Sequence, residues 1–322
     1  MVTSRQLLWF TLPLLLLGAM ACAGPRRPAT EEGYVPVSGG LRIHYRVVGT
    51  GADTVVIPMD AWWPDDIQQL ASGRTLILYD PRGRGRSDPV PDSVPAGFPE
   101  ELKDLDRLRE HLGIGRMALI GWSYLGGVVA LYAAEHPEHV SRVIQVGPIP
   151  PRKDPYWDLW LADYATRAPP GGAIVSADSA DWSAGTADCR PALRATVMPQ
   201  LGDTAFASVI ADAVGCSLAN EDPAAIGHWF ERMVSSFGDW DWRPQAARVQ
   251  APVLTIQGTR DNMPIESSQE WVGAFADARL LRIEGVGHYP VFERPAVFFR
   301  AVQEFLDGTW PADAERRQPS SP

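Results

Sequence analysis

The feature that most constrains the fold is an alternation between short apolar runs and longer helical stretches. "YVPV" and "LRIHYRVV", parted by "SGG", read as an antiparallel hairpin. "TVVIP", "RTLILYD", "RMALIG" and "VSRVIQVG" follow, apolar throughout as strands covered on both faces must be. Between them "PEELKDLDRLREHLG" sets Leu102, Leu105, Leu108 and Leu112 on one stripe, with Gly113 as its stop. "YLGGVVALYAAEH" then runs to Pro137. After an interruption rich in proline and tryptophan the alternation resumes through "APVLTIQG", "PIESSQEWVGAFA", "ARLLRIEG" and "RPAVFFRAVQEFLDG". Such alternation predicts an α/β chain with a doubly wound, mostly parallel sheet. The expected core is 34–149 together with 244–308, and 150–243 is expected to form a helical cap inserted into it.

The two ends read differently. Arg5 precedes "LLWFTLPLLLLGAMA", an apolar run broken by Pro13 and too short to span a bilayer, and small residues lead to Cys22. Residues 1–21 are therefore expected to be an export signal and 22–33 a linker. Lipidation of Cys22, giving membrane attachment, and plain secretion to the periplasm or beyond both fit, although Ala19 stands where such lipidation sites usually carry leucine. The segment 309–322 is Pro- and charge-rich and is expected to be disordered. A net charge of −10 argues against nucleic acid as a partner. In an oxidising compartment Cys189 and Cys216 are expected to pair, a bridge worth about 3–4 kcal/mol in the chain-entropy picture; the alternative is two buried thiols. No Cys/His spacing suits a metal, and no cofactor is expected.

Three chemically able residues fall just beyond strand ends. Ser123 follows "RMALIG" and opens a helix, Asp261 follows "APVLTIQG", and His288 follows "ARLLRIEG". The carboxyl ends of parallel strands share one rim, so the three are expected to converge there. A serine hydroxyl needs an imidazole to take its proton, and the imidazole needs a carboxylate to orient it. Each residue alone has a plainer reading. Ser123 would be an ordinary strand–helix turn, Asp261 a cap for the helix starting near Pro264, and His288 a packing residue. Their common order and placement favour chemistry. Trp62, Trp63 and Trp122, close to Ser123 or to the loop after "TVVI", are expected to line a substrate pocket, while the tryptophans of the cap are expected mainly to form its core.

Four stretches together resemble the α/β-hydrolase family. "GWSYLGG" is similar to its nucleophile elbow, "YDPRGRGRSD" to the loop after its fourth strand, and "GTRDNMPI" and "GVGHYPVFERP" to its acid and histidine loops. The resemblance covers residues from about 34 to 307 and is nearest to the proline iminopeptidase, esterase and lactonase branch. It implies a serine hydrolase acting on a small-molecule ester or amide, with Ser123 as nucleophile, His288 as base then acid, and Asp261 as orienter. It also implies an oxyanion hole from the backbone N–H groups of Tyr124 and, by counting from "TVVI", Ala61. Two departures stand out. Leu125 occupies the usual second glycine of the elbow, and "PMDAWW" replaces a His-Gly loop, bringing Asp60 near a site built for an anion. Two alternatives stay open: an aminopeptidase whose Glu221 and Asp222 hold a substrate amine, and a ligand-binding protein that has lost turnover.

Overall fold

A computed structural model describes residues 30–169, 189–215, 218–221 and 223–316. Its centre is one eight-stranded sheet in the order β1-β2-β4-β3-β5-β6-β7-β8. The strands are β1 (Thr30–Pro36), β2 (Arg42–Val48), β3 (Asp53–Pro58), β4 (Arg74–Tyr79), β5 (Met117–Trp122), β6 (Val140–Val146), β7 (Val253–Gly258) and β8 (Ala278–Ile283). β1 and β2 form the expected hairpin, with Tyr34 opposite His44, and β2 meets β4 antiparallel. All other pairings are parallel. β1 begins at Thr30, so its ladder takes in the last residues of the expected linker.

The apolar strands owe their composition to cover on both faces. Val56, Ile77 and Leu119 face a core shared with α1 (Phe98–His111), α2 (Tyr124–Glu135), α7 (Arg243–Ala246) and α8 (Ile265–Ala274). Their neighbours Val55, Ile57, Leu76, Leu78, Ala118 and Ile120 face a second core that holds Phe298, Val302 and Phe305 of α10 (Pro295–Leu306). Period-two alternation thus divides each strand between two cores. α2 is buried from Leu125 to Ala134, which explains why it is apolar on every side.

Between β6 and β7 the described residues form α3 (Tyr156–Arg167), α4 (Arg190–Val197), α5 (Phe206–Val214) and α6 (Pro223–Phe237), besides α7. α9 (Pro290–Glu293) is a single turn ahead of α10. Cys189 is disulfide-bonded; its expected partner Cys216 and the lipidation candidate Cys22 lie outside the described residues. The export signal also lies outside them, and among the described residues no helix is long and apolar enough to cross a membrane.

The expectation of a disordered tail fails for its first half. Glu315 exchanges both backbone hydrogen bonds with Leu280 at 2.9 Å, Ala314 is buried, and Trp310 packs on Phe305 beneath Arg279. β8 is the sheet's edge strand, and its open hydrogen-bonding groups give these polar residues somewhere to pair.

Candidate active site

The strand order reverses between β3 and β5, which opens a crevice at their carboxyl ends. The loop after β3 and the turn after β5 face each other across it. Ser123, in that turn, holds φ 59 and ψ −130, an arrangement costly for a residue with a side chain. The surroundings make the bend possible. A Cβ on Gly121 would lie 2.2 Å from the Leu125 carbonyl oxygen, and one on Gly126 would lie 2.8 Å from Pro148 Cβ. Close approach is therefore met by Gly121 and Gly126, while Leu125 is buried and lends its side chain to the wall of the cavity. The departure at Leu125 leaves the bend intact.

His288 Nδ1 lies 3.0 Å from Asp261 Oδ2, both groups buried, and the Met263 N–H donates to Asp261 Oδ1 at 2.9 Å. The backbone of His288 is held at both ends. Its N–H donates to the Gln200 carbonyl at 2.7 Å, and its carbonyl accepts from Trp122 Nε1 at 2.9 Å. Glu293 secures the loop further: it accepts from Gly287 N at 2.9 Å and from the cap's Gly202 N and Asp203 N at 2.9 and 3.0 Å. Burial pushes its carboxyl up, and these N–H groups pull it back. Gly147, just after β6, has φ 49, and a Cβ there would come within 2.9 Å of both Asp261 Oδ2 and His288 Nδ1. Ser123 and His288 line the same cavity.

The loop after β3 corrects one assignment and resolves one difficulty. The Ala61 N–H donates to Asp80 Oδ1 at 3.0 Å, so it is not free to meet an oxyanion. Asp80 is wholly buried and also takes the Arg86 N–H at 3.0 Å; burial raises its carboxyl to about 7. Met59 adopts the left-handed conformation, φ 70 and ψ 50, and starts a 3-10 turn over Asp60–Trp62. The Asp60 N–H, first in that turn, has no carbonyl within it to pair with. The Tyr124 N–H holds the same position in α2, at the positive end of the helix dipole. The Asp60 carboxylate is directed away into a two-pronged bond with Arg46 at 2.6 and 2.7 Å, so its charge is met.

The cavity, about 170 Å³, is walled mainly by rings, among them Trp62, Trp122, Trp160, Trp229 and Phe230. Trp63, expected beside Trp62, is instead in the core against Trp122 and Phe298, its Nε1 donating to the Pro58 carbonyl at 3.0 Å. The 3-10 turn ends at Trp62 and sends the next side chain inward. In the cap, Trp160 and Trp229 face the cavity, while Trp240 and Trp242 stack on one another and pack toward Phe237. Trp182 lies outside the described residues.

Glu221 is not available to a substrate amine. Wholly buried, it accepts from Arg84 Nε and Nη2 at 3.0 and 2.8 Å, from Gly85 N at 2.6 Å and from Trp62 Nε1 at 2.5 Å. Arg84 also lies 4.5 Å over the Trp229 ring. The "RGRGR" stretch thus serves structure, as its glycines suggest, but Arg84 reaches the cavity wall as well. Asp222 lies outside the described residues.

Comparison with known proteins agrees with this fold. A family model described as alpha/beta hydrolase fold matches residues 57–295. A pimeloyl-[acyl-carrier protein] methyl ester esterase from Aromatoleum aromaticum is 31% identical over 193 residues, 58% of this chain and 73% of that protein. A bovine (lyso)-N-acylphosphatidylethanolamine lipase is 26% identical over 265 residues, 76% of this chain and 75% of its own. Among solved structures, a proline iminopeptidase from Mycobacterium smegmatis superposes with a TM-score of 0.63 at 22% identity, covering 86% of this chain and 98% of that one. With the model match spanning most of its length, the chain belongs to the α/β hydrolase family and is a hydrolytic enzyme.

Proposed function

We propose that the protein is an exported serine hydrolase that cleaves a small, apolar carboxylic ester through an acyl-enzyme on Ser123. One observation carries this reading: a serine held at φ 59 lines the same cavity as a histidine whose far nitrogen is bound to a buried carboxylate. The Ser123 hydroxyl attacks the ester carbonyl as His288 takes its proton, and Asp261 holds Nδ1–H and stabilises the imidazolium. The Tyr124 N–H, joined by that of Asp60 in place of Ala61, meets the oxygen where charge develops. His288 returns the proton to the departing alcohol, then activates the water that frees the acid.

Ester is favoured over amide by the ring-walled cavity and by Glu221, whose oxygens already hold four donors and leave no carboxylate there for a free amine. The esterase and lipase activities for which those two relatives are named agree. Export rests on the N-terminal reading alone, with attachment through Cys22 as its membrane-bound form. Replacing Ser123 by Ala should lower kcat on p-nitrophenyl butyrate by on the order of 10⁶-fold. Wild-type turnover in the purified variant would remove Ser123 from the chemistry, and faster cleavage of proline p-nitroanilide than of the ester would restore the aminopeptidase.

A further inference from the structure

Directly behind the elbow lies an acid that the mechanism above does not use. Glu101 stands on the apolar stripe of α1, four and seven residues before Leu105 and Leu108, and is only 1% exposed. Its Oε1 accepts from the Tyr124 hydroxyl at 3.2 Å, while Oε2 and the nearby Tyr79 hydroxyl are both buried without a partner. Tyr124 joins two roles in one residue: its backbone N–H opens α2 beside Ser123, and its ring fills the space between the cavity and Glu101.

We propose that Glu101 is a positioning residue for the oxyanion hole, holding Tyr124 through its hydroxyl and weakening the site when its own proton is lost and a negative charge stands behind it. This rests on the ester-hydrolase reading. The neutral acid suits its setting, because it can accept from Tyr124 with no buried charge. The carboxylate would place a negative charge behind the donor that must face a second one.

The groups around it limit how easily that charge forms. Asp104, one turn along α1, opposes it, while Tyr124 from α2 and Arg84 and Arg82 from the loop after β4 favour it. Both arginines are already engaged, Arg84 with Glu221 and Arg82 with Asp104 in bonds of 2.6 Å. Burial dominates, followed by Asp104, and raises the Glu101 carboxyl to about 8. The acid is therefore intact at neutral pH and titrates just above it.

The test is the pH dependence of kcat for p-nitrophenyl butyrate between pH 6.5 and 9.5, corrected for uncatalysed hydrolysis, with folding followed by circular dichroism. Wild type should lose at least threefold in kcat above about pH 8. Glu101→Gln, which keeps shape and neutrality, should match wild type at pH 7 and lose that decline. Tyr124→Phe removes the hydroxyl that favours the carboxylate, so its decline should move to higher pH; this variant stands in if Glu101→Gln does not fold. A flat wild-type profile, an unchanged decline in Glu101→Gln, or an unmoved midpoint in Tyr124→Phe would overturn the proposal. Ser123→Ala assayed alongside separates the layers: an active Ser123→Ala defeats the hydrolase reading, whereas an inactive one with an unchanged Glu101→Gln profile defeats only the role of Glu101.

Discussion

Ser123 occupies a backbone conformation that costs of order 1–3 kcal/mol, and the glycines around it supply the clearance that lets the chain hold it. Gly147 does the same for the other half of the site. At φ 49, with its missing Cβ directed at Asp261 and His288, it is the place where one methyl group separates an ordered pair from a displaced one. Gly147→Ala should leave the protein folded and lower kcat about 100-fold, because a shift near 1 Å in a catalytic group has that scale of effect. Steady-state kinetics beside a thermal melt would check this; unaltered kcat would mean the pair has more room than its surroundings indicate. The meeting of Ser123, Asp261 and His288 around one cavity was legible because each follows an apolar run of strand length. Ala61 was misassigned, since counting from a strand cannot reveal that Met59 turns left-handed or that Asp80 claims the Ala61 N–H.

At the scale of elements, the cap is fastened to the core by a buried ion pair. Glu221, just before α6, reaches Arg84 in the loop after β4, and no spacing rule connects residues so far apart in sequence. Removing one partner leaves the other charge buried and unpaired, so Glu221→Ala should cost about 3–5 kcal/mol and raise KM as the cap loosens. The double variant Arg84→Met/Glu221→Leu should recover most of that loss in urea unfolding. Equal instability in single and double variants would show that the charges themselves are not the problem. Glu101 did leave a trace in the sequence, as a carboxylate in register with the leucines of α1. A lone polar residue on an apolar stripe is ordinarily an edge position, and only the packing of Tyr124 and Tyr79 around it shows otherwise.

For the whole molecule, the strand order carries the consequence that matters, because reversal between β3 and β5 aligns two loops distant in sequence along one crevice. The βα alternation made that sheet readable, including the hairpin that begins it. The ordered stretch after Gly308 was not readable, because its stability comes from the open edge of β8 and not from its own composition. The central claim is that this crevice turns the hydroxyl of residue 123 into a nucleophile. Intact-protein mass spectrometry after exposure to a fluorophosphonate measures it directly. One adduct per chain, mapped to Ser123, formed with loss of esterase activity and absent from Ser123→Ala, is the predicted result. Full esterase activity with Ser123 unlabelled, or stoichiometric labelling at another residue, would contradict it.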